Sequence, residues 1–340
     1  MFRFVAGLAI GGSSVLGPMY IAEIAPARWR GRLVGCFQFS IVLGILVAYF
    51  SNYVIGTLHL GALEWRWQLG VSALPAILFF LMLFHIPRSP RWLVKKGYLH
   101  EAEQALKQLG EDNQNALAQI VRSLRTQHTE GSERLFQRRN RFPIFLAVTV
   151  GMFNQLAGIN SILYYVNDIF ARAGFSKVSG DLQAVVIGGT NLLFTALAML
   201  VIDRVGRRIM LLVGSVGTFA CLSIVASIFY SGKHENLLIL PLIGFIAFFA
   251  FSQGAVIWVY ISEIFPNRVR AKGQSLGSFS HWFMTAILVW AFPILSARSA
   301  AAPFVFFSSM MALQFVIVLF FFPETKGVPL EQMQSKLGID

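Results

Sequence analysis

Long apolar stretches, separated by short basic or polar ones, fill most of the chain. Each holds about 20 apolar residues, the length of helix that crosses roughly 30 Å of hydrocarbon. The stretches are too long and too continuous for the alternating strands of a membrane β-barrel. We therefore predict transmembrane helices at about 1–23, 33–55, 68–86, 142–170, 182–202, 209–230, 237–262, 274–296 and 302–322.

The composition is typical of an all-α polytopic membrane protein. Of the 340 residues, 56% are hydrophobic and 13% are charged, and the mean hydropathy is +0.64. A soluble domain of this length rarely reaches such values. Cys36 and Cys221 lie inside apolar stretches and are too few to indicate a disulfide-based fold.

Basic residues mark one side of the membrane. The formal net charge is +12, and the loops 24–32, 203–208 and 266–272 each hold three Lys or Arg residues. The polar stretch 88–141 holds eleven Lys or Arg against six acidic residues. Because Lys and Arg accumulate in cytoplasmic loops, we predict a multi-pass protein of the plasma or inner membrane with a cytoplasmic C-terminus. The charge indicates topology and contact with the lipid bilayer, and no nucleic-acid partner is expected.

Two stretches are near copies of each other. Residues 19–31 and 259–271 share Tyr, Ile, Glu, Ile, Pro, Arg and Arg at a constant offset of 240, and each opens a basic loop. A second pair, 87–89 and 323–325, has nearly the same offset. The period is therefore six helices, and nine helices are three plus six. We expect parallel repeats, as in secondary transporters, with three helices absent from the first half.

Five motifs in a fixed order resemble those of the sugar porter family of the major facilitator superfamily. One is the repeated loop itself. The others are PRSPRWL at 87–93, QLAGIN at 155–160 with Tyr164 and Tyr165, DRVGRR at 203–208, and PETKG at 323–327.

The resemblance covers the whole chain and implies a major facilitator-type helix bundle with nine of twelve transmembrane helices present. The N-terminal half is expected to retain three helices at 1–86. A cytoplasmic linker with short helices follows at 87–141, then a six-helix half at 142–322 and a cytoplasmic tail at 323–340. The family moves hexoses, pentoses or polyols by facilitated diffusion or proton symport.

Amides and indoles inside apolar helices are the candidate sugar ligands. An unpartnered buried amide costs a few kcal/mol, and an amide both donates and accepts hydrogen bonds, as a neutral polyol requires. Gln155 and Asn160 are expected about 7.5 Å apart along an ideal helix. Bonds between helices are the alternative for the amides, and core packing is the alternative for the indoles. The resemblance implies sugar contacts by Gln38, Asn154, Gln155, Asn160, Asn191, Trp258, His281 and Trp282.

Tyrosines and cytoplasmic charges are the candidate gating residues. Tyr164 and Tyr165 resemble the family's extracellular gate, and simple space filling is the alternative. Ion pairs at cytoplasmic helix ends can lock the two halves together, whereas the alternative is a solvated surface that only sets topology. The resemblance implies the locking role for Glu23, Arg30, Asp203, Arg204, Arg207, Arg208, Glu263 and Arg270.

A few positions depart from the family pattern. Asn154 stands where a second Gln is usual, and His281 stands where Asn or Gln is common, so the particular sugar stays open. Arg88 replaces a family Glu, whereas Glu324 keeps it. Arg3 matches an Arg that, in proton-coupled members, lies near an Asp on a helix expected to be absent here, so proton coupling stays open.

Transport of a monosaccharide or polyol by alternating access is the first hypothesis. A sugar sensor or a non-transporting remnant is the second, and a carrier of another small solute is the third. The sequence shows no nucleophile triad, phosphate loop or metal-ligand cluster. We therefore expect no enzymatic activity, no cofactor and no metal, and we expect a small sugar as partner, with protons if transport is coupled.

Overall fold

The computed structural model describes residues 2–24, 30–109, 117–118, 120–122, 134–175, 177–265 and 269–326. Throughout these ranges the long regular elements are α-helices. They are α1 Phe2–Ile24, α2 Arg30–Thr57, α3 Glu64–Val71, α4 Ala73–Leu83, α5 Pro90–Lys96, α6 Leu99–Gln108, α7 Arg141–Leu156, α8 Ile159–Tyr164, α9 Val166–Arg172, α10 Lys177–Val205, α11 Arg207–Ser231, α12 Ile239–Phe249, α13 Ala255–Ile264, α14 Arg270–Arg298 and α15 Ala302–Phe321.

Eight helical segments in the described ranges are long and apolar enough to cross a membrane. They are Cys36–Thr57, Gly61–Leu83, Arg138–Tyr164, Asp181–Ile202, Arg207–Ser231, Glu235–Ile264, Arg270–Arg298 and Ala302–Phe321. These segments coincide with eight of the nine predicted transmembrane helices. The remaining prediction, 1–23, falls on α1, where Phe4–Gly17 is a shorter apolar segment. The predicted class, an all-α polytopic membrane protein, is confirmed.

Two of the predicted helices are interrupted near their middle. The stretch 142–170 breaks at Gly158, whose φ of 83° lies in the left-handed region that glycine tolerates best. A Cβ at this position would lie 2.3 Å from the Phe307 ring, so a side chain does not fit. The stretch 237–262 contains a π-helical turn at Ala250–Gly254, between α12 and α13. Such π turns are often found at functional sites.

The chain divides into two compact units. The first comprises Met1–Gln38 and Leu69–Arg134, and the second comprises Phe39–Gln68 and Leu135–Asp340. Helix α2 therefore contributes its first part to one unit and its second part to the other. The four-part division drawn from the sequence remains a prediction.

In the first unit, the PRSPRWL motif builds the start of α5. The Ser89 hydroxyl accepts a hydrogen bond from the Trp92 backbone N–H at 3.2 Å, which satisfies one of the free donors at the helix start. Pro90 occupies the first turn, where its missing N–H costs nothing. Gly97, with a φ of 86°, ends the helix. Helices α5 and α6 then bury Leu93, Ala102 and Ala105 against each other.

In the second unit, the later part of α2 packs closely on α10. A Cβ at Gly188 would lie 3.1 Å from the Tyr49 ring, and one at Gly56 would lie 3.3 Å from Asp181 Oδ2. The Tyr49 hydroxyl donates to the Leu163 carbonyl at 2.6 Å. Small residues thus let the two helices approach, as is common in membrane proteins.

The second unit has two apolar clusters, and α7 passes from one to the other. Leu146 and Val150 belong to a cluster that includes Tyr260. Phe153 and Leu156 belong to the other cluster. The polar site begins on α7 at Asn154 and Gln155, between Phe153 and Leu156 of the second set.

Candidate functional site

Four polar side chains of the second unit form one cluster inside the helices. Asn154 and Gln155 lie on α7 and are 4% and 2% exposed. His281 lies on α14 and is also buried, and Asn160 lies on α8 and is half-buried. A set of polar groups held away from water needs partners or a ligand.

Close helix contacts bring these side chains together. Helices α7 and α14 approach so tightly that a Cβ at Gly151 would lie 2.8 Å from the Gly277 carbonyl oxygen. Gly158 separates α7 from α8, and Asn160 Nδ2 donates to Gln155 Oε1 at 2.9 Å. The two amide side chains therefore contact each other directly.

The three amides form a chain of hydrogen bonds with one direction. Asn154 Nδ2 donates to the Gln253 backbone carbonyl at 3.1 Å. A carbonyl can only accept, so Asn154 must turn its oxygen toward Gln155, whose Nε2 donates to it at 2.9 Å. Gln155 must in turn offer its oxygen to Asn160. The main chain at the π turn thus fixes the orientation of all three side chains.

The cluster leaves polar groups available to a ligand. Asn160 Oδ1, at the far end of the chain, accepts no hydrogen bond from the described residues. Outside this cluster, Asn191 on α10 is 5% exposed, and its amide has no hydrogen-bond partner in the described part of the chain. Gln155 Nε2 lies 3.2 Å from Nδ1 and 3.3 Å from Nε2 of His281. Donors and acceptors are therefore both present, without a carboxylate in the cluster.

Two indoles flank the imidazole of this cluster. The ring centroid of His281 lies 5.3 Å from that of Trp258, with planes at 56°. It lies 5.2 Å from that of Trp282, edge to face at 87°. Both indoles are half-buried. Apolar ring faces beside amides suit a solute that is hydroxylated on its edges and apolar on its C–H faces.

The other predicted sugar and gate residues lie elsewhere on the helices. Gln38 belongs to the first unit, where it is half-buried. Tyr165 stacks on Phe292 with centroids 5.2 Å apart, and its hydroxyl reaches the Val289 carbonyl at 3.5 Å. Tyr164 is 60% exposed. The gate role of the two tyrosines remains a prediction.

A cluster of charges gathers around Glu324, just after α15. Its Oε1 accepts the Arg207 backbone N–H at 2.9 Å, and its Oε2 accepts that of Arg208 at 3.1 Å. Both donors belong to the first turn of α11, where the helix dipole favours an anion. Gly206 makes this possible, because a Cβ there would lie 2.6 Å from Glu324 Oε2.

The carboxyl of Glu324 is held in its charged form. Burial acts to raise its pKa, but hydrogen bonds from four backbone N–H groups outweigh burial and lower the pKa below its ordinary value. The four donors belong to Lys326, Arg207, Arg208 and Thr325.

A second carboxylate extends the cluster. Arg207, with a side chain only 8% exposed, pairs with Glu263 at 2.8 Å. The Thr325 hydroxyl donates to the other oxygen of Glu263 at 2.6 Å. Lys326 Nζ donates to the Arg204 carbonyl. The structure thus brings together Arg204, Arg207, Arg208 and Glu263 from the predicted gating set.

Of the other predicted gating residues, Arg270 has a described side chain. Arg270 Nε donates to the Phe265 carbonyl at 3.4 Å. The side chains of four other residues lie outside the described part of the structure, namely Arg3, Glu23, Arg30 and Asp203.

Buried polar residues that the sequence analysis passed over include Gln253, Gln314 and Asp181. Each lies within, or at the first residue of, a candidate span, and they are 1%, 2% and 5% exposed, respectively. Asn167 Nδ2 donates to Asp181 Oδ1 at 2.6 Å. The signal was visible for both glutamines, because each interrupts an apolar run, but neither matches a motif of the family.

Comparison with known proteins places the chain in a family. A family model described as "Sugar (and other) transporter" matches residues 1–337. The chain is 32% identical over 348 residues to the D-xylose-proton symporter of Escherichia coli (strain K12), covering 98% of this chain and 70% of that protein. It is 33% identical over 341 residues to the arabinose-proton symporter of Bacillus subtilis (strain 168), covering 98% and 74%.

Solved structures agree with the sequence matches. The proton:xylose symporter XylE bound to 6-bromo-6-deoxy-D-glucose matches with a TM-score of 0.81 and 31% identity, covering 99% of this chain and 73% of that one. A partially occluded inward-open conformation of XylE from E. coli matches with a TM-score of 0.85 and 31% identity, over 96% and 71%. The resemblance drawn from the motifs is confirmed, and the chain belongs to the sugar porter family of the major facilitator superfamily.

Proposed function

We propose that the protein transports a monosaccharide or a polyol across a cell membrane by alternating access. The solute binds among the amides and indoles of the second unit, and the two repeats then move around it. The family membership and the named substrates of relatives, which include xylose, arabinose and myo-inositol, support this class of solute.

One observation carries the proposal. The amide chain from Gln253 to Asn160 has a fixed direction and ends in the acceptor Asn160 Oδ1. A second buried amide, Asn191, adds a donor and an acceptor. A neutral solute with several hydroxyl groups satisfies such a set, whereas an organic anion finds no cationic side chain in the cluster.

Five of the predicted sugar ligands have a specific role in this proposal. Asn160 accepts from a sugar hydroxyl, and Asn154 orients Gln155, whose second N–H faces the His281 ring. The indoles of Trp258 and Trp282 cover the apolar faces of the sugar. The proposed sugar contacts of the second unit are Asn154, Gln155, Asn160, Asn191, Trp258, His281 and Trp282, and Gln38 of the first unit stays a prediction by itself.

Transport requires the site to open on one membrane side at a time. Tyr164 and Tyr165 are proposed to gate the extracellular side. The charges around Glu324 are proposed to lock the cytoplasmic side, where the predicted topology also puts the C-terminus. Relatives named as proton symporters support coupling to protons. No covalent step, metal or cofactor enters the mechanism, and the lipid bilayer is the only large partner proposed.

Exchange of labelled sugars across vesicle membranes tests the proposal. Purified protein in proteoliposomes should exchange at least one of xylose, arabinose, glucose or myo-inositol. Gln155→Ala breaks the amide chain at its centre, so sugar binding should fall more than about tenfold. Gln68→Ala is the matched control, since Gln68 lies in a candidate span but bonds only to Glu64 among the described residues.

The proposal has two ways to fail. If the wild type neither binds nor exchanges any of the four sugars, the solute class is wrong. If Gln155→Ala binds sugar as the wild type does, the solute class stands and the site is wrong.

A further inference from the structure

The backbone carbonyl of Gln253 holds the amide chain, and its side chain has a separate, incompletely satisfied environment. Its side chain is 1% exposed, and Nε2 finds only a weak acceptor, the sulfur of Met311 at 3.2 Å. Its Oε1 is buried and receives no hydrogen bond from the described residues. A buried carbonyl in this state is unfavourable and calls for a donor.

Gln314 on α15 also has a buried amide oxygen without a donor among the described residues. It lies on α15, three residues after Met311, so the two side chains share one face of the helix. Gln314 is 2% exposed, and its Oε1 is also buried without a donor in the described part of the chain. Two amides whose carbonyls need a donor are therefore associated with Met311, Gln253 through its hydrogen bond and Gln314 through its place on the same helix face.

We propose that Gln253 and Gln314 form a second polar subsite that binds a hydroxyl group as a hydrogen-bond donor. This subsite rests on the proposed function and extends it. The donor belongs either to a hydroxyl of the transported sugar or to an ordered water. A water donates one hydrogen to each carbonyl, whereas a sugar hydroxyl shares its single hydrogen between them in a bifurcated bond.

The chemistry favours a neutral donor over a cation. Two amide oxygens and a thioether are too few for a hard cation, which prefers six or more oxygen ligands. A hydroxyl needs only one or two acceptors and carries no charge into the apolar interior.

The position of the subsite links it to sugar binding. The backbone carbonyl of Gln253 holds Asn154, while its side chain faces Met311 on α15. One residue of the π turn thus serves both the amide chain and the subsite. A donor bound to the Gln253 side chain is therefore held by the same residue whose backbone carbonyl orients Asn154 and, through Asn154, Gln155.

A double-mutant cycle on the full chain in detergent tests the subsite. Gln253→Met and Gln314→Met replace each amide by an apolar side chain of similar length. Two quantities are measured for each single and for the double variant: the melting temperature without sugar, and the affinities for a sugar exchanged by the wild type and for its monodeoxy analogues. Gln108→Met is the control, because Gln108 is exposed on α6.

Each source of the donor gives its own result. If a sugar hydroxyl is the donor, each single variant loses about tenfold in affinity for the parent sugar. The affinity for one monodeoxy analogue, which lacks that hydroxyl, is then the same in the variants as in the wild type. The double variant binds the parent sugar no more weakly than a single variant does. If a water is the donor, the non-additivity appears in the melting temperature without sugar, and all sugars change alike.

The opposite result overturns the subsite. In that case the two substitutions raise the melting temperature additively and leave every affinity unchanged, as expected for carbonyls that bind nothing. Failure of the proposed function is recognised separately, because a wild type that binds no sugar still gives a melting-temperature cycle.

Discussion

Two loops at corresponding places of the repeat share a hydrogen bond but differ in charge. In the first unit, the Tyr20 hydroxyl donates to the Pro87 carbonyl at 2.5 Å. In the second unit, the Tyr260 hydroxyl donates to the Pro323 carbonyl at 3.3 Å. Tyr20 and Tyr260 are equivalent residues of the repeated motif. Each repeat thus fastens its loop to the same helix position in the same way.

The residue after each proline has a different environment. Arg88 has a side chain that is 70% exposed, and it lies 3.7 Å from Glu101, a partner that is itself half exposed. Glu324 instead caps the first turn of α11 and accepts several backbone N–H groups. The tyrosine and proline therefore preserve the path of the loop, while the next residue is free to change its role.

The first loop has another use for its polar residue. Ser89 caps α5, so the free N–H groups there are satisfied by a hydroxyl. In the second loop, the carboxylate one position earlier satisfies the N–H groups of a different helix. The comparison suggests that a carboxylate is required only where the loop meets the start of α11.

Making the second loop resemble the first should have the largest effect. Glu324→Arg puts a cation at the start of α11, next to Arg207 and Arg208, and removes several charge-assisted hydrogen bonds. We expect a loss of about 3 kcal/mol in the free energy of unfolding and at least about a tenfold loss of exchange rate. Denaturation in detergent measures the loss of stability, and sugar exchange in proteoliposomes measures the loss of transport rate. A variant as stable and active as the wild type contradicts the difference drawn between the loops.

Removing the shared hydrogen bond should have an intermediate effect. Tyr20→Phe and Tyr260→Phe each delete one hydroxyl and should cost about 1 kcal/mol. The cost at Tyr260 should be the larger, because this residue is fully buried and Tyr20 is half-buried. Thermal unfolding of both single variants tests the equivalence of the loops. An effect at only one of them shows that the fastening is not common to both repeats.

Acid should weaken the second loop and leave the first unchanged. The pKa of Glu324 is lower in the folded state, so its stabilisation is complete above the ordinary carboxyl pKa. It is lost as the pH falls through the lowered value. Glu324→Gln should remove this part of the acid dependence, whereas Arg88→Gln should retain it. Unfolding between about pH 6 and pH 3 compares them, and identical profiles for both variants argue against the assignment.

Making the first loop resemble the second should have the smallest effect. Arg88→Glu deletes an exposed ion pair with Glu101, and such pairs contribute about 0.5 kcal/mol or less. We expect a change in unfolding free energy below about 0.5 kcal/mol. A loss as large as that of Glu324→Arg shows instead that Arg88 has a buried partner in the functional state.

Hydropathy alone located most of the fold, because a span is a matter of length and apolarity. It did not reveal the break at Gly158 or the π turn at Ala250–Gly254, since hydropathy reports the apolarity of a stretch and not its backbone conformation. These breaks arise from tertiary packing, as the contact of Gly158 with Phe307 illustrates. The sequence shows that residue 158 is glycine, but it does not show that the Phe307 ring leaves no room for a side chain there.

The candidate site was predictable in its membership more than in its geometry. Asn154, Gln155, Asn160 and His281 were expected together, and the structure joins them. Their bonding order depends on a main-chain carbonyl, which leaves no trace in the identity of any residue. Gln253 and Gln314 were missed because they carry no motif and become significant only once their burial is known.

The anchoring of the amide chain on a main-chain oxygen limits how the site can evolve. A side-chain acceptor could be replaced by a donor through one codon change, but the Gln253 backbone carbonyl is the same for every amino acid. The direction of the hydrogen bonds at that end is therefore set by the backbone and does not change with the amino acid at position 253. On the proposed function, changes of sugar preference are therefore expected at the opposite end, at Asn160, or in the rings around His281.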